Sequence, residues 1–127
     1  MSDLHEKSVF ERVGGEPIIR QLVDVFYEKV VADTPLRSIF PEDLEEGKEY
    51  QYLFIMQLFG GPTVYSQQRG HPRLRMRHMP FVIDRDKKDR WLKHMLDSID
   101  EVGIQDPERA TMREYFVRAA EHMINRD

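Results

Sequence analysis

The sequence contains no cysteine, which excludes a disulfide framework and thiolate metal ligands. No stretch reaches the roughly 18 consecutive apolar residues that a membrane-spanning helix needs, so we expect no membrane partner. The first seven residues are polar and show no hydrophobic signal segment. These absences are compatible with a reducing cytoplasm, and we expect a cytoplasmic protein. Its 127 residues suffice for one domain with a core of its own, in which residues 1–7 are disordered or loosely packed.

Acidic side chains are missing from the middle of the chain, because no Asp or Glu occurs between Glu49 and Asp84. The whole protein carries a net charge of −4, which argues against generic nucleic-acid binding. Four arginines nevertheless fall between positions 69 and 77. We name residues 60–81 the cationic segment, and we expect an anionic group to lie against it.

The spacing of apolar residues predicts an all-α chain without strands or internal repeats. The predicted elements are a short helix capped by Ser8 and Glu11, a helix over 17–30, a turn over 36–40, a helix over 44–59, a helix over 84–103 capped by Asp84, and a last helix with Asp106 as N-cap and Pro107 at its first position. Residues 60–81 form one long non-helical excursion, in which 73–78 could make a short helix. An excursion of roughly twenty residues in a small domain is more often functional than idle.

Two polar side chains fall on apolar helix faces. Tyr27 lies four residues after Val23, which places its ring on the buried side of its helix, where the phenol needs a hydrogen-bond partner. Gln51 shares one stripe with Phe54 and Leu58, and a buried amide also needs partners. The conservative interpretation is that tyrosines of this kind are core aromatics, that isolated histidines are solvated, and that an arginine cluster is a solvated face. The absence of acids weakens the last of these.

Motifs spread along nearly the whole chain, from about residue 10 to 125, resemble the group II truncated haemoglobins. They are Phe26-Tyr27 at the end of a helix, the Phe40-Pro41 corner, Gln51, Gly60-Gly61-Pro62, the run from His71 to Phe81, and Trp91 thirteen residues after His78. The run reads His-Pro-Arg-Leu-Arg-Met-Arg-His-Met-Pro-Phe, which is long and unusual enough to be specific.

The resemblance implies a truncated globin domain over residues 1–127, a two-on-two helical sandwich around a haem b. It identifies His78 as the proximal ligand of the haem iron, with His71 as the competing candidate. An iron-ligating imidazole must be neutral and fixed in orientation, which a short helical turn before Met79-Pro80 would achieve.

The two carboxylates of a haem need cations, and the resemblance places arginines beside them. Arg77, with Arg73 or Arg75, would bind the carboxylates because guanidinium matches their fork geometry, and Tyr65 would add a hydroxyl donor. The remaining expected haem contacts are Phe40, Phe54, Leu74 and Phe81.

On the opposite haem face, the resemblance places Tyr27, Gln51 and Trp91 around the bound gas. Each carries an N–H or O–H donor. Two hydrogen bonds of roughly 1.5–3 kcal/mol each would slow O2 release by something like 10²–10⁴-fold. Gly47 and Phe40 depart from the relatives and donate nothing, and Gly47 indicates an open path from solvent.

The preferred function is reversible binding of O2, and of CO and NO, with slow release, for oxygen transport or storage. The alternative is a haem enzyme on the same scaffold, with NO dioxygenase chemistry ranked above peroxidase chemistry because no distal residue is a good general base. A remote alternative is a haem-free module that binds an anionic partner through Arg69, Arg73, Arg75 and Arg77. We expect the gases and an unidentified reductase as partners, no nucleic acid, and a monomer or homodimer.

Overall fold

The computed structural model describes residues 7–70 and 83–125. These residues form seven helices and no strand: α1 (Val9–Val13), α2 (Glu16–Ala32), α3 (Thr34–Arg37), α4 (Glu45–Leu58), α5 (Val64–Arg69), α6 (Arg85–Glu101) and α7 (Glu108–Met123). The prediction of an all-α chain is therefore confirmed for the described part. None of these helices has the length and apolar character needed to cross a membrane.

Capping residues fix the beginnings of two helices as predicted. Glu11 N–H donates to Ser8 Oγ (3.2 Å) and Ser8 N–H donates to Glu11 Oε1 (3.1 Å), which completes the capping box of α1. Asp84 caps α6 by accepting from Lys87 N–H at 2.9 Å. Local side-chain chemistry thus decides where these elements begin.

Two other helix starts differ from the prediction. The turn expected over 36–40 lies earlier, at α3, because Asp33 caps it by accepting from Leu36 N–H at 3.3 Å. The last helix begins one residue late, because Pro107 rather than Asp106 is the N-cap residue and its carbonyl accepts from Thr111 N–H.

The prediction that residues 60–81 are non-helical apart from a possible short helix over 73–78 is wrong for residues 64–69, which form α5. The Gln57 side chain donates to Ser66 Oγ (2.7 Å) and accepts from Ser66 N–H (3.0 Å), which joins α4 to the first turn of α5. Tyr65 is buried against α4. These tertiary contacts offset the cost of nucleating so short a helix, a cost that favours the unfolded form in isolation.

Helix α2 occupies the centre of the molecule and packs against both α4 and α6, while α6 also packs along α7. The apolar spacing predicts a buried face of α2 that includes Ile18, which is only partly buried. The buried residues of that face are Ile19, Leu22, Val23, Phe26, Tyr27 and Val30. Two ion pairs join α2 to α4, Arg20–Glu49 (2.9 Å) and Asp24–Lys48 (3.0 Å). These contacts lie where the start of α4 packs along α2.

Candidate functional site

A cavity of about 580 Å³ opens between the helices. The described part of its wall consists of residues from α2, from the turn over 36–41, and from helices α4, α5, α6 and α7, together with Ile83. The volume falls within the roughly 300–1,000 Å³ of small-molecule and cofactor sites. Six predicted site residues that lie in the described part of the chain all line it: Tyr27, Phe40, Gln51, Phe54, Tyr65 and Trp91.

The α2 wall presents Tyr27, which is only 7% exposed. Its ring meets the rings of Phe26 and Phe40 edge-on, with centroids 5.6 and 6.1 Å apart. Phe40 therefore packs against the tyrosine and lines the cavity without offering a donor, as its side chain predicts.

Helix α4 contributes Gly47, Gln51 and Phe54, which lie at i, i+4 and i+7 and so share one helix face. Gly47 lies close to the tyrosine, because a Cβ built on it would lie 3.5 Å from the Tyr27 hydroxyl oxygen. Gly47 is also exposed to solvent. An open path from solvent at this position stays a prediction.

Helix α6 contributes Trp91 to the cavity wall. The indole is flanked by Phe26 at 5.3 Å and Phe116 at 6.0 Å between ring centroids. Phe26 thus touches both Trp91 and Tyr27, and its ring holds the two donors on one side of the cavity.

The donors of Tyr27, Gln51 and Trp91 make no hydrogen bond within residues 7–70 and 83–125. Every fully buried side-chain N or O atom of the described residues has a partner. The polar atoms of these three side chains are therefore not sealed within the core, and they retain accessible surface beside the cavity that their residues line.

Burial raises the pKa of Tyr27 to about 12. The phenol is consequently neutral across the physiological range and keeps its proton for donation. A tyrosine of this kind is a hydrogen-bond donor rather than a base.

Helix α5 brings a hydroxyl and a cation to the edge of the cavity. Tyr65 is 3% exposed, and its ring packs on Phe54 at 5.4 Å and on Tyr50 at 6.2 Å. The Arg69 guanidinium lies over the Tyr50 ring at 4.2 Å, and Arg69 lines the cavity. The i, i+4 spacing of Tyr65 and Arg69 would have linked them in the sequence if α5 had been predicted.

Two lysines at the start of α6 also line the cavity and were not predicted. Lys88 binds Asp89 Oδ1 at 2.7 Å and Glu121 Oε2 at 3.2 Å, and the hydrogen bond to Asp89 raises the pKa of Lys88. Lys87 lies 3.7 Å from Asp86 Oδ2. Both lysines already have carboxylate partners, whereas a site for a bound anion needs cations without such partners.

Helix α7 also contributes to the described wall, although its apolar spacing predicts a buried core face. Its cavity-lining residues are Tyr115, Phe116, Ala119, Ala120 and Met123. Phe116 and Ala120 are buried as predicted, but Tyr115, Ala119 and Met123 are only partly buried. The same apolar spacing serves a core face and a cavity wall, so the sequence does not separate the two.

Several predicted site residues lie outside the described residues: the iron ligand His78, its competitor His71, the arginines Arg73, Arg75 and Arg77, and the contacts Leu74 and Phe81. One further histidine, His94, lies on α6. Its Nε2 lies 2.8 Å from Asp33 Oδ2, a contact between residues far apart in the chain.

Comparison with known proteins identifies a family. The family model described as bacterial-like globin matches residues 8–125. The group 2 truncated hemoglobin YjbI of Bacillus subtilis (strain 168) is 42% identical over 111 residues, which cover 87% of this chain and 84% of that protein.

Two crystal structures have nearly the same fold. The hemoglobin of the thermophilic phototroph Chloroflexus aurantiacus is 54% identical with a TM-score of 0.94, covering 95% of this chain and 100% of that one. The truncated oxygen-avid haemoglobin of Bacillus subtilis is 40% identical with a TM-score of 0.89, covering 94% and 100%.

The chain belongs to the bacterial-like globin family. Within that family it is a group II truncated haemoglobin with the two-on-two helical arrangement, and it is accordingly a haem-binding globin. The cavity fits such a cofactor, because its described wall is largely aromatic and aliphatic and also includes the polar residues Tyr65 and Arg69.

Proposed function

We propose that this protein binds O2, and also CO and NO, reversibly at a ferrous haem b and releases O2 slowly, as an oxygen-transport or oxygen-storage protein of the cytoplasm. The observation that carries the proposal is the set of three donors, Tyr27, Gln51 and Trp91, which line one cavity and lack partners in the described part of the chain. Donors left unpaired around a cavity favour a ligand that accepts hydrogen bonds.

When bound, a haem would supply an electron-rich iron at which a diatomic gas could bind. The chain's donors would then bond to a ligand that carries negative charge, and such bonds are worth roughly 1.5–3 kcal/mol each. At about 1.4 kcal/mol per tenfold, two of them slow release by something like 10²–10⁴-fold. Because burial keeps Tyr27 protonated, its hydroxyl remains a donor throughout the physiological pH range.

The resemblance supports His78 as the iron ligand and Arg77 with Arg73 as carboxylate partners. The structure adds a further candidate from the described residues, since Arg69 lines the cavity four residues after Tyr65. Stacking on Tyr50 restrains the Arg69 guanidinium, which reduces the entropy lost when it binds a carboxylate. We propose that Tyr65 and Arg69 bind the haem carboxylates together.

One relative supports slow release directly, because the structurally similar protein of Bacillus subtilis is described as oxygen-avid. For this chain, tight binding of O2 is part of the proposal. The local reason for expecting it here is the number of donors: three side chains share the cavity, whereas a single hydrogen bond would retain O2 far less.

The test is the O2 dissociation rate of the haem-loaded protein, measured by stopped-flow mixing with CO, in the parent and in Trp91→Phe. The substitution keeps an aromatic ring and removes the donor, so release should become about tenfold faster or more. Tyr52→Phe is the control, because Tyr52 is a buried phenol of α4 whose ring lies under Arg20 and away from the cavity lining. An unchanged rate in Trp91→Phe would show that the indole only packs.

A further inference from the structure

Asp33 attaches the start of α3 to helix α6 at two points. Its Oδ1 accepts from Arg90 Nη1 at 2.9 Å, and its Oδ2 lies 2.8 Å from His94 Nε2. The side chains of Asp33 and His94 are 10% and 18% exposed. Solvent and salt screen such a partly buried contact less than a surface ion pair.

The two attachment points are one helical turn apart. Arg90 and His94 lie at i and i+4 of α6 and therefore on the same helix face. Helix α6 cannot slide along its axis or turn about it without lengthening at least one of the two contacts. Trp91 lies between them in the chain and lines the cavity, so a shift of α6 would also move its indole.

The carboxylate that makes these contacts is itself fixed. Asp33 Oδ1 also accepts from Leu36 N–H at 3.3 Å as the N-cap of α3, and α3 leads directly to Phe40 in the cavity wall. Burial acts to raise the pKa of Asp33, but hydrogen bonds from His94 and Leu36 and the charge of Arg90 hold it below its ordinary value of 3.8. The group is therefore an anion at neutral pH.

Aromatic packing alone leaves the indole less well defined. Phe26 and Phe116 flank Trp91 with ring centroids 5.3 and 6.0 Å away, and they hold it against the core. Apolar contacts of this kind are non-directional, whereas the bonds to Asp33 have a fixed geometry. The polar contacts thus add the constraint along the helix that the rings do not supply.

We propose that Asp33, acting through Arg90 and His94, is a positioning residue that aims the Trp91 indole N–H into the cavity and so sets how long O2 is retained. This inference rests on the proposed function, because it gives Trp91 a role toward the gas. Neither Arg90 nor His94 lines the cavity, so both act only through the helix that they hold.

A double-mutant cycle on the haem-loaded protein tests the proposal, using O2 dissociation rates of the parent, Asp33→Asn, Trp91→Phe and the double variant. Asparagine is also a good N-cap residue, so α3 keeps its cap while the anion is lost. Asp33→Asn should speed O2 release about twofold or more in the parent and have no effect in the Trp91→Phe background, as for coupled residues. Equal effects in the two backgrounds would overturn the proposal.

Fluorescence of the single tryptophan gives a readout that needs no gas ligand. In the full chain, Asp33→Asn and His94→Phe should each change the fluorescence lifetime and anisotropy of Trp91, because the indole gains freedom. Asp100→Asn is the matched control, since Asp100 also contacts two arginines of α7 but lies nine residues beyond Trp91 on the same helix. It should leave the emission unchanged.

The outcomes separate this inference from the function on which it rests. Trp91 emission that stays the same in Asp33→Asn and in His94→Phe overturns the positioning role, even where O2 binds normally. A parent protein that binds no O2 overturns the proposed function instead, and it does so before any variant is made.

Discussion

Unpaired donors are costly inside a protein, because a polar group taken from water without a partner loses roughly 1–3 kcal/mol. Other polar side chains of the described structure avoid this cost: Gln57 is bonded to Ser66, and the buried Ser98 donates to the His94 carbonyl at 2.7 Å. Tyr27, Gln51 and Trp91 have no partner within the described residues, but their polar atoms avoid this cost because they keep accessible surface beside one cavity. A gas ligand that accepts hydrogen bonds would give these donors a partner when it is bound.

Because Tyr27 is buried, we predict that the free energy of unfolding falls in alkali. Burial raises its pKa from 10.0 to about 12, so above pH 10 the unfolded chain loses this proton while the folded chain keeps it. The folded state then binds more protons, and stability falls as pH rises from 10 to 12. At pH 11 the loss from this residue should be about 1.4 kcal/mol.

Urea unfolding of the parent and of Tyr27→Phe at pH 8 and pH 11 measures this contribution. The free energy of unfolding should fall less between the two pH values in the variant than in the parent. If both proteins lose the same amount, the folded structure does not protect the Tyr27 proton.

The elements that the sequence predicts best are those whose signals are local. Apolar spacing and capping residues place α2, α4 and α6 within a residue or two of their observed bounds. Helix α5 escapes prediction because glycine and proline precede it and because its stability comes from Gln57, which belongs to another helix. The contact between Asp33 and His94 is likewise invisible in the sequence, since only the packing of α6 brings the two together.

The residues of the candidate site also fall into those that the sequence predicts and those that it does not. Tyr27 and Gln51 are predictable because a polar side chain interrupts an apolar helix face, and the structure places both at the cavity. Ala119 and Met123 are not predictable, because an apolar stripe on α7 fits a core face equally well. The roles of the cavity residues toward haem and gas stay predictions.

We predict that gas reaches the cavity past Gly47 of α4. The helix presents bare backbone there beside the Tyr27 hydroxyl, and Gly47→Leu would place a branched side chain at that point. We expect association of CO and O2 to slow by on the order of tenfold. Flash photolysis of the CO complex measures the rate.

Gly47→Ala is the control for this substitution. Its methyl group would lie 3.5 Å from the Tyr27 oxygen, an ordinary contact, and it replaces a glycine in the first turn of α4, which should raise stability by roughly 0.4–1 kcal/mol. Its association rate should stay close to that of the parent. Normal gas association in Gly47→Leu would place the opening elsewhere.

We predict that the hydrogen bonds between α4 and α5 affect how firmly haem is held. Gln57→Leu removes both hydrogen bonds to Ser66, worth roughly 0.5–1.5 kcal/mol each, and so loosens the helix that carries Tyr65 and Arg69. Haem should transfer to an acceptor globin several-fold faster, on the order of fivefold. Gln67→Leu is the matched control, because Gln67 bonds only to Thr63 on the exposed side of α5. Equal transfer rates in the two variants would contradict a role of α5 in holding haem.

At the scale of the whole molecule, charge is distributed unevenly. The protein carries a net charge of −4, yet no acid occurs over 50–83, and Arg69 brings part of this region to the cavity edge. A cofactor with two carboxylates complements such a region better than it complements the remaining surface. The family to which the chain belongs supplies that cofactor in haem.

The absorption spectrum of the freshly purified protein, before and after dithionite and then CO, tests the haem assignment most directly. We predict an intense haem band that shifts on reduction and shifts again with CO, and a His78→Ala variant that loses the five-coordinate ferrous spectrum of the parent. A protein that is colourless, and that stays so after haemin is added, would contradict the assignment.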